Sequence, residues 1–138
     1  MKNDKNEKLI FTLEIIGACA IIGFWIGWFL DIFKSISPSE VEIYPLYMAF
    51  ESSFPLPDLW IVLLLLVSSY SILTDKSFKY QLTSAAGGAL VFLGLIDISF
   101  NLQQNMYFYD VFNVFINLFT LGLGIILLIW TILFLKST

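Results

Sequence analysis

The strongest constraint in this sequence is a set of four long apolar stretches separated by polar ones. They cover residues 9–30, 58–73, 80–100 and 111–135. About 20 consecutive apolar residues suffice for an α-helix to cross a bilayer. Backbone polar groups in lipid must also pair internally, which restricts spanning structures to helices and closed barrels. The pattern therefore predicts one all-α domain, residues 1–138, built as an up-down bundle of four transmembrane helices in the cell membrane.

Composition supports a protein of the lipid bilayer and excludes several functions. The chain is 59% hydrophobic and 13% charged, with a mean hydropathy of +0.87. Soluble domains average about 45–50% apolar and about 25% charged residues. All seven cationic residues are lysines and the net charge is −4, so no nucleic-acid surface is expected. The absence of histidine and the single cysteine exclude an internal disulfide and a structural zinc site.

The placement of lysine predicts the orientation. Lysines precede the first span, separate the second from the third, and follow the fourth. These three places share one side of the membrane if all four segments cross, and the opposite side holds only Lys34. Lysine and arginine are enriched in cytoplasmic loops, so we expect both termini in the cytoplasm.

The segment between the first two spans, residues 31–57, is too apolar for a free loop. It contains YPLYMAFE at residues 44–51. This run predicts a short amphipathic helix or a re-entrant piece, with Tyr44, Tyr47 and Phe50 facing lipid headgroups. The tryptophans near the span ends are likewise expected in the interfacial aromatic belts: Trp25, Trp28 and Trp60.

Polar side chains within the spans should face the bundle interior, because lipid offers them no hydrogen-bond partners. Residues four apart share a helix face, as Asp97 and Asn101 do, and also Asn113 and Asn117. Because such groups recur near the extracytoplasmic ends, we predict a shallow pocket that opens outward. Its predicted lining is Asp31, Glu51, Asp58, Asp97, Asn101, Asn113 and Asn117. Glu14 lies apart, and we expect it to reach water at the cytosolic rim or to mark an inner gate or a subunit contact.

The predicted pocket suits a proton or a hard cation. Carboxylate and amide oxygens, without histidine or cysteine, are ligands for Na⁺, Ca²⁺ or Mg²⁺. Neighbouring carboxylates in a low dielectric cannot all stay ionised, so one keeps its proton or a cation joins them. The alternative is that these groups cap helices and connect them through hydrogen bonds. Asp97 is the sharpest candidate, because burying a lone carboxylate costs several kcal/mol.

Two segments carry a resemblance to a known family. Residues 50–60, FESSFPLPDLW, and residues 87–103, GGALVFLGLIDISFNLQ, resemble small, uncharacterised four-span prokaryotic membrane proteins. The resemblance covers residues 47–107 and implies no activity. It implies that one constellation is formed by Glu51, Asp58, Asp97, Asn101 and Gln103.

A second resemblance concerns layout alone. Asp31, the Tyr44-Pro45 pair and the proline-rich start of the second span are similar in placement to the sterol-isomerase and sigma-2-receptor-like four-helix family. That family places an acid inside its second span, where this sequence has none, and this chain has no histidine. The resemblance therefore implies an analogy of fold only.

Three functions remain open, because the sequence has no phosphate loop, nucleophile-and-base pair or metal motif of known spacing, and indicates no particular cofactor. The first is a transport- or receptor-like protein that binds a cation, a proton or a small polar ligand; transport would require a homodimer. The second is a lipid- or isoprenoid-modifying membrane enzyme that pairs Asp97 with Glu51 or Asp58. The third is an accessory subunit that docks a membrane partner. A cavity favours the first, an elongated hydrophobic cleft the second, and no cavity the third.

Overall fold

The computed structural model describes residues 5–32, 44–109 and 111–135, and within them every regular element is helical. The elements are α1 (Lys5–Phe29), α2 (Tyr44–Glu51), α3 (Pro55–Leu73), α4 (Lys79–Gln103), a 3-10 turn (Met106–Phe108) and α5 (Val111–Leu135). Three of the lysines from which the orientation was predicted lie outside the described residues: Lys2, Lys34 and Lys136.

Within the described residues, four helical stretches are long and apolar enough to cross a membrane. They are Lys5–Phe29, Tyr44–Leu73, Lys79–Gln103 and Val111–Phe134. The second contains both α2 and α3, and α3 begins at Pro55, three residues before the predicted start. Proline fits this first turn because the N–H groups there have no acceptor within the helix.

The helices pack in a chain of neighbours. α1 packs against α3, α3 against α4 and α4 against α5, whereas α1 and α5 touch only slightly. Leu65 and Leu127 are fully buried in the core, and Leu90 is almost so. The closest approach is between α4 and α5 at Gly87 and Gly124, where no side chain separates the two backbones. The slight contact of α1 with α5 determines the shape of the site described below.

The short helix predicted between the first two spans is present as α2. The prediction that Tyr47 faces lipid headgroups is wrong. Tyr47 is 1% exposed and belongs to a core cluster with Trp25, Trp28 and Met106. The rings of Trp28 and Tyr47 lie 6.0 Å apart. The interfacial assignment of Trp25 and Trp28 is also wrong, because they pack inside the protein. Trp60, by contrast, is largely exposed.

Three polar residues make the left-handed backbone turns that end or separate the helices. Asp31, Asp75 and Asn105 have φ angles of 59°, 53° and 55°. Aspartate and asparagine adopt this region more readily than other residues with a Cβ, because their short side chains bond locally. A substitution of one by the other at these positions is therefore expected to preserve the turn.

Candidate ligand-binding cavity

A cavity of about 460 Å³ lies among α1, α3, α4 and α5, beside the end of α2. Its volume falls within the range of about 300–1,000 Å³ that is typical of small-molecule sites. Six of the eight predicted site residues line it: Glu51, Asp58, Asp97, Asn101, Asn113 and Asn117. The structure therefore brings together polar groups from α2, α3, α4 and α5.

Two predicted site residues, Asp31 and Gln103, lie away from the cavity lining. Asp31 is exposed in the turn after α1, where its φ is 59°, so it does not continue the helical spacing of α1. Gln103 follows Asn101 by two residues, which turns it about 200° around the helix axis. Its Nε2 donates to Ser99 Oγ at 2.9 Å on the exposed side of α4.

Only one of the two carboxylate oxygens of Asp58 has a hydrogen-bond partner. The indole Nε1 of Trp25 donates to Asp58 Oδ2 at 2.8 Å, and the aspartate is 7% exposed. Its other oxygen, Oδ1, is buried without a hydrogen-bond partner. Burying an unpaired polar atom costs about 1–3 kcal/mol, and more if it is charged. Asp58 therefore lines the cavity and carries a buried oxygen with unused hydrogen-bonding capacity.

Two asparagines that line the cavity also have unpartnered polar atoms. Asn101 is 3% exposed; its Nδ2 donates to the carbonyl oxygen of Asp97 at 2.8 Å, whereas its Oδ1 has no partner. Asn113 is 6% exposed, and its Nδ2 has no partner. Asn117 differs, because its Nδ2 donates to the hydroxyl of Tyr107 at 2.8 Å. Residues that line the cavity from three helices thus carry polar atoms without a hydrogen-bond partner.

The ionisable groups of the described cavity lining are all acidic. The described lining contains the carboxyl groups of Glu51, Asp58 and Asp97 and no basic residue. Asp58 and Asp97 line the cavity from α3 and α4. A positive group in the cavity would be attracted to both when they are ionised.

A metal centre fits this arrangement poorly. Among the described residues, no three aspartate, glutamate or cysteine side chains come together as candidate metal ligands. Ca²⁺ takes six to eight oxygen ligands and Mg²⁺ requires near-octahedral geometry, so either needs a more convergent set of donors. An organic cation needs only charge and a few hydrogen bonds, which the cavity supplies.

Glu14 lies at the centre of a second buried polar cluster, which the sequence did not predict. It is 0% exposed, and it accepts hydrogen bonds from Ser68 Oγ at 2.6 Å and Ser69 Oγ at 3.0 Å. The hydroxyls of Ser68 and Thr83 are in turn 2.8 Å apart. The expectation that Glu14 reaches water at the cytosolic rim is therefore wrong. The adjacent serines in an apolar stretch were the available signal.

Comparison of the chain with protein-family models, curated proteins and solved structures gave no match. The two resemblances described above therefore stay predictions. The function must follow from the cavity and from the residues that line it.

Proposed function

We propose that this chain is an integral membrane protein with cytoplasmic termini, whose outward-facing cavity binds a cationic polar ligand in a transport- or receptor-like role. The observation that carries the proposal is the set of buried, partly unpartnered polar atoms on Asp58, Asn101 and Asn113, in a lining whose described residues include three carboxyl groups and no basic residue.

The side-chain contacts support the up-down order of the helices. Trp25, late in α1, pairs with Asp58, early in α3, whereas Glu14 pairs with Ser68 farther along α3. Lys79, at the start of α4, bonds to Glu7 near the start of α1. The beginnings of α1 and α4 thus share one end, as the proposed cytoplasmic side requires.

The chemistry of binding follows from the atoms that are available. An ammonium group can donate to Asp58 Oδ1 while Trp25 holds Oδ2 in place. Hydrogen bonds between ionised partners are roughly twice as strong as neutral ones. Asn101 Oδ1 can accept a further hydrogen bond, and Asn113 Nδ2 can donate to an acceptor atom on the ligand.

Thermal unfolding in maltoside micelles tests the proposal, with butylammonium as the probe and Na⁺, Ca²⁺ and Mg²⁺ chlorides as comparison salts. Butylammonium should raise the Tm of the wild type, because a ligand that binds only the folded state stabilises it by about 2.7 kcal/mol at about 100 times its Kd. Asp58→Asn and Asp97→Asn should abolish this shift, because each removes a cavity carboxylate.

Asp31→Asn is the matched control for that experiment. It removes a carboxylate that is exposed and does not line the cavity, and asparagine tolerates the same φ of 59°. It should keep the full butylammonium shift. The proposal fails if no cation raises the Tm of the wild type, or if Asp31→Asn loses the shift as completely as Asp97→Asn.

A lipid- or isoprenoid-modifying enzyme is the second candidate, because Asp58 and Asp97 line one cavity together with apolar side chains. Conversion of an added lipid or isoprenoid by the wild type but not by Asp97→Asn would favour it over simple binding. The accessory-subunit hypothesis receives less support, because it predicts no cavity.

A further inference from the structure

The cavity has an opening on its side, between α1 and α5. These two helices touch only slightly. The lining includes residues that are exposed on both: Ala20 and Gly23 on α1, and Phe112, Phe115 and Phe119 on α5. Phe115 is 66% exposed. Because the outer surface of a transmembrane bundle faces lipid, this opening leads into the hydrocarbon of the bilayer.

Two glycines of α1 show where the opening begins. A Cβ at Gly17 would lie 2.6 Å from Leu123 Cδ2, so α1 and α5 are in contact at that level. A Cβ at Gly23 would have no atom within 4 Å. Gly17 therefore marks a level at which the two helices touch, whereas Gly23, on another face of α1, has free space beside it. The lining residues on the Trp25 side of that contact form a slot: Ala20 and Gly23 on α1, and Phe112, Phe115 and Phe119 on α5.

The polar groups of the cavity lining lie toward one of its ends. On α4 its lining runs backwards along the chain from Asn101 and Asp97 to Leu93 and Leu90. At 1.5 Å per residue, this lining extends over about 16 Å of the helix. On α5 the lining runs forwards from Asn113 and Asn117 through Thr120 to Leu123. The amide groups of both helices and the carboxyl group of Asp97 thus lie toward one end, beside phenylalanines of α5, and leucines lie at the other end.

Resting on the proposed function, we infer that the ligand is a membrane-dissolved amphiphile with an ammonium head and a single hydrocarbon chain, which enters sideways between α1 and α5. The head lies among the carboxyl groups of Asp58 and Asp97, and the chain lies along Leu90, Leu93 and Leu123 or out through the slot.

The charge and size of the cavity exclude the common alternatives among lipids. A phospholipid would bring its phosphate toward Glu51, Asp58 and Asp97, and the described lining has no basic residue to pair with it. A volume of about 460 Å³ is in the range of a site for one small molecule, so the two acyl chains of a phospholipid would have to lie outside it. A single-chain amine avoids both conflicts.

Photolabelling in membranes tests the inference. The probe is a long-chain primary amine with a diazirine midway along its chain, and mass spectrometry locates the adducts. The label should fall on residues 20–23 and 112–119, and unlabelled dodecylamine should compete with it. A fatty alcohol with the same diazirine should label this slot at least about tenfold less, because it lacks the cationic head.

Gly23→Leu provides the decisive variant and Gly88→Leu its matched control. Both glycines are exposed and have space for a side chain, but only Gly23 lines the cavity. A leucine at position 23 should fill the slot and lower the labelling by about tenfold. Gly88→Leu should leave the labelling unchanged. Gly88→Leu should also keep the butylammonium Tm shift, because Gly88 does not line the cavity.

The outcomes separate the two proposals. If butylammonium stabilises the wild type in an Asp58-dependent way but the label falls evenly over the lipid-facing surface, or Gly23→Leu labels like Gly88→Leu, the amphiphile inference is wrong and the binding proposal stands. If neither the short nor the long amine binds, both are wrong.

Discussion

Lys79→Met is expected to lower the free energy of unfolding by about 3–5 kcal/mol. Lys79 is 7% exposed and forms ion pairs with Glu7, which is 5% exposed, and with Asp75, at 2.7 Å. One oxygen of Glu7, Oε2, is already buried without a hydrogen-bond partner. Removal of the lysine leaves this carboxylate buried with no opposing charge, which costs far more than the loss of an exposed pair. Titration of the maltoside-solubilised protein with SDS measures the effect.

Two further variants identify the cause of that loss. The double variant with Glu7→Met and Lys79→Met removes both buried charges, and its stability should return to within about 1 kcal/mol of the wild type. Lys76→Met removes an exposed lysine from the same turn and should change stability by less than about 0.5 kcal/mol. Equal losses in Lys76→Met and Lys79→Met would contradict the role of the buried ion pair.

Gly124→Ala is expected to destabilise the fold by about 1–3 kcal/mol, the usual cost of overpacking a core. A Cβ at this position would lie 2.8 Å from the carbonyl oxygen of Gly87 and 2.8 Å from the backbone nitrogen of Val91. Both neighbours are backbone atoms, so no side chain can rotate away and α5 must move off α4. The same SDS titration measures the change.

Gly122→Ala is the control for this substitution. It lies on the same helix, and a Cβ there would have no atom within 4 Å. Alanine is a better helix former than glycine by about 1 kcal/mol, so this variant should be neutral or slightly stabilised. A loss at Gly122 equal to that at Gly124 would show that close contact between α4 and α5 is not the cause.

The sequence predicted the helices and much of the cavity for related reasons. A long apolar run can satisfy its backbone in lipid only as a helix or in a closed barrel, and such runs are visible without knowledge of the tertiary structure. Asn113 and Asn117 share a face by spacing alone, as do Asp97 and Asn101. These four residues line one cavity because both helix faces point inward, as the structure shows.

The contacts between helices could not be predicted from the same pattern. The pairing of Trp25 with Asp58, and of Glu14 with Ser68, depends on which helices are neighbours and how far each slides along the other. Apolar stripes in lipid do not define that offset, because leucines pack in many registers. The burial of Tyr47 has the same cause, since it depends on α2 packing beside Trp28 and Met106.

Cysteine accessibility tests most directly whether the inward polar groups surround a cavity that attracts cations. In a Cys19→Ser background, Asn117→Cys places a thiol in the cavity lining. Leu118→Cys places one on the next residue of α5, at a position that is 60% exposed on the surface of the protein. Both are treated on intact cells with membrane-impermeant methanethiosulfonates of either charge.

We expect the thiol at position 117 to react with the trimethylammonium reagent on the order of tenfold faster than with the sulfonate reagent, because Asp58 and Asp97 raise the local concentration of cations. The thiol at position 118 should react with neither. Equal reactivity of the two thiols, or a preference of position 117 for the sulfonate reagent, would contradict a cation-binding cavity.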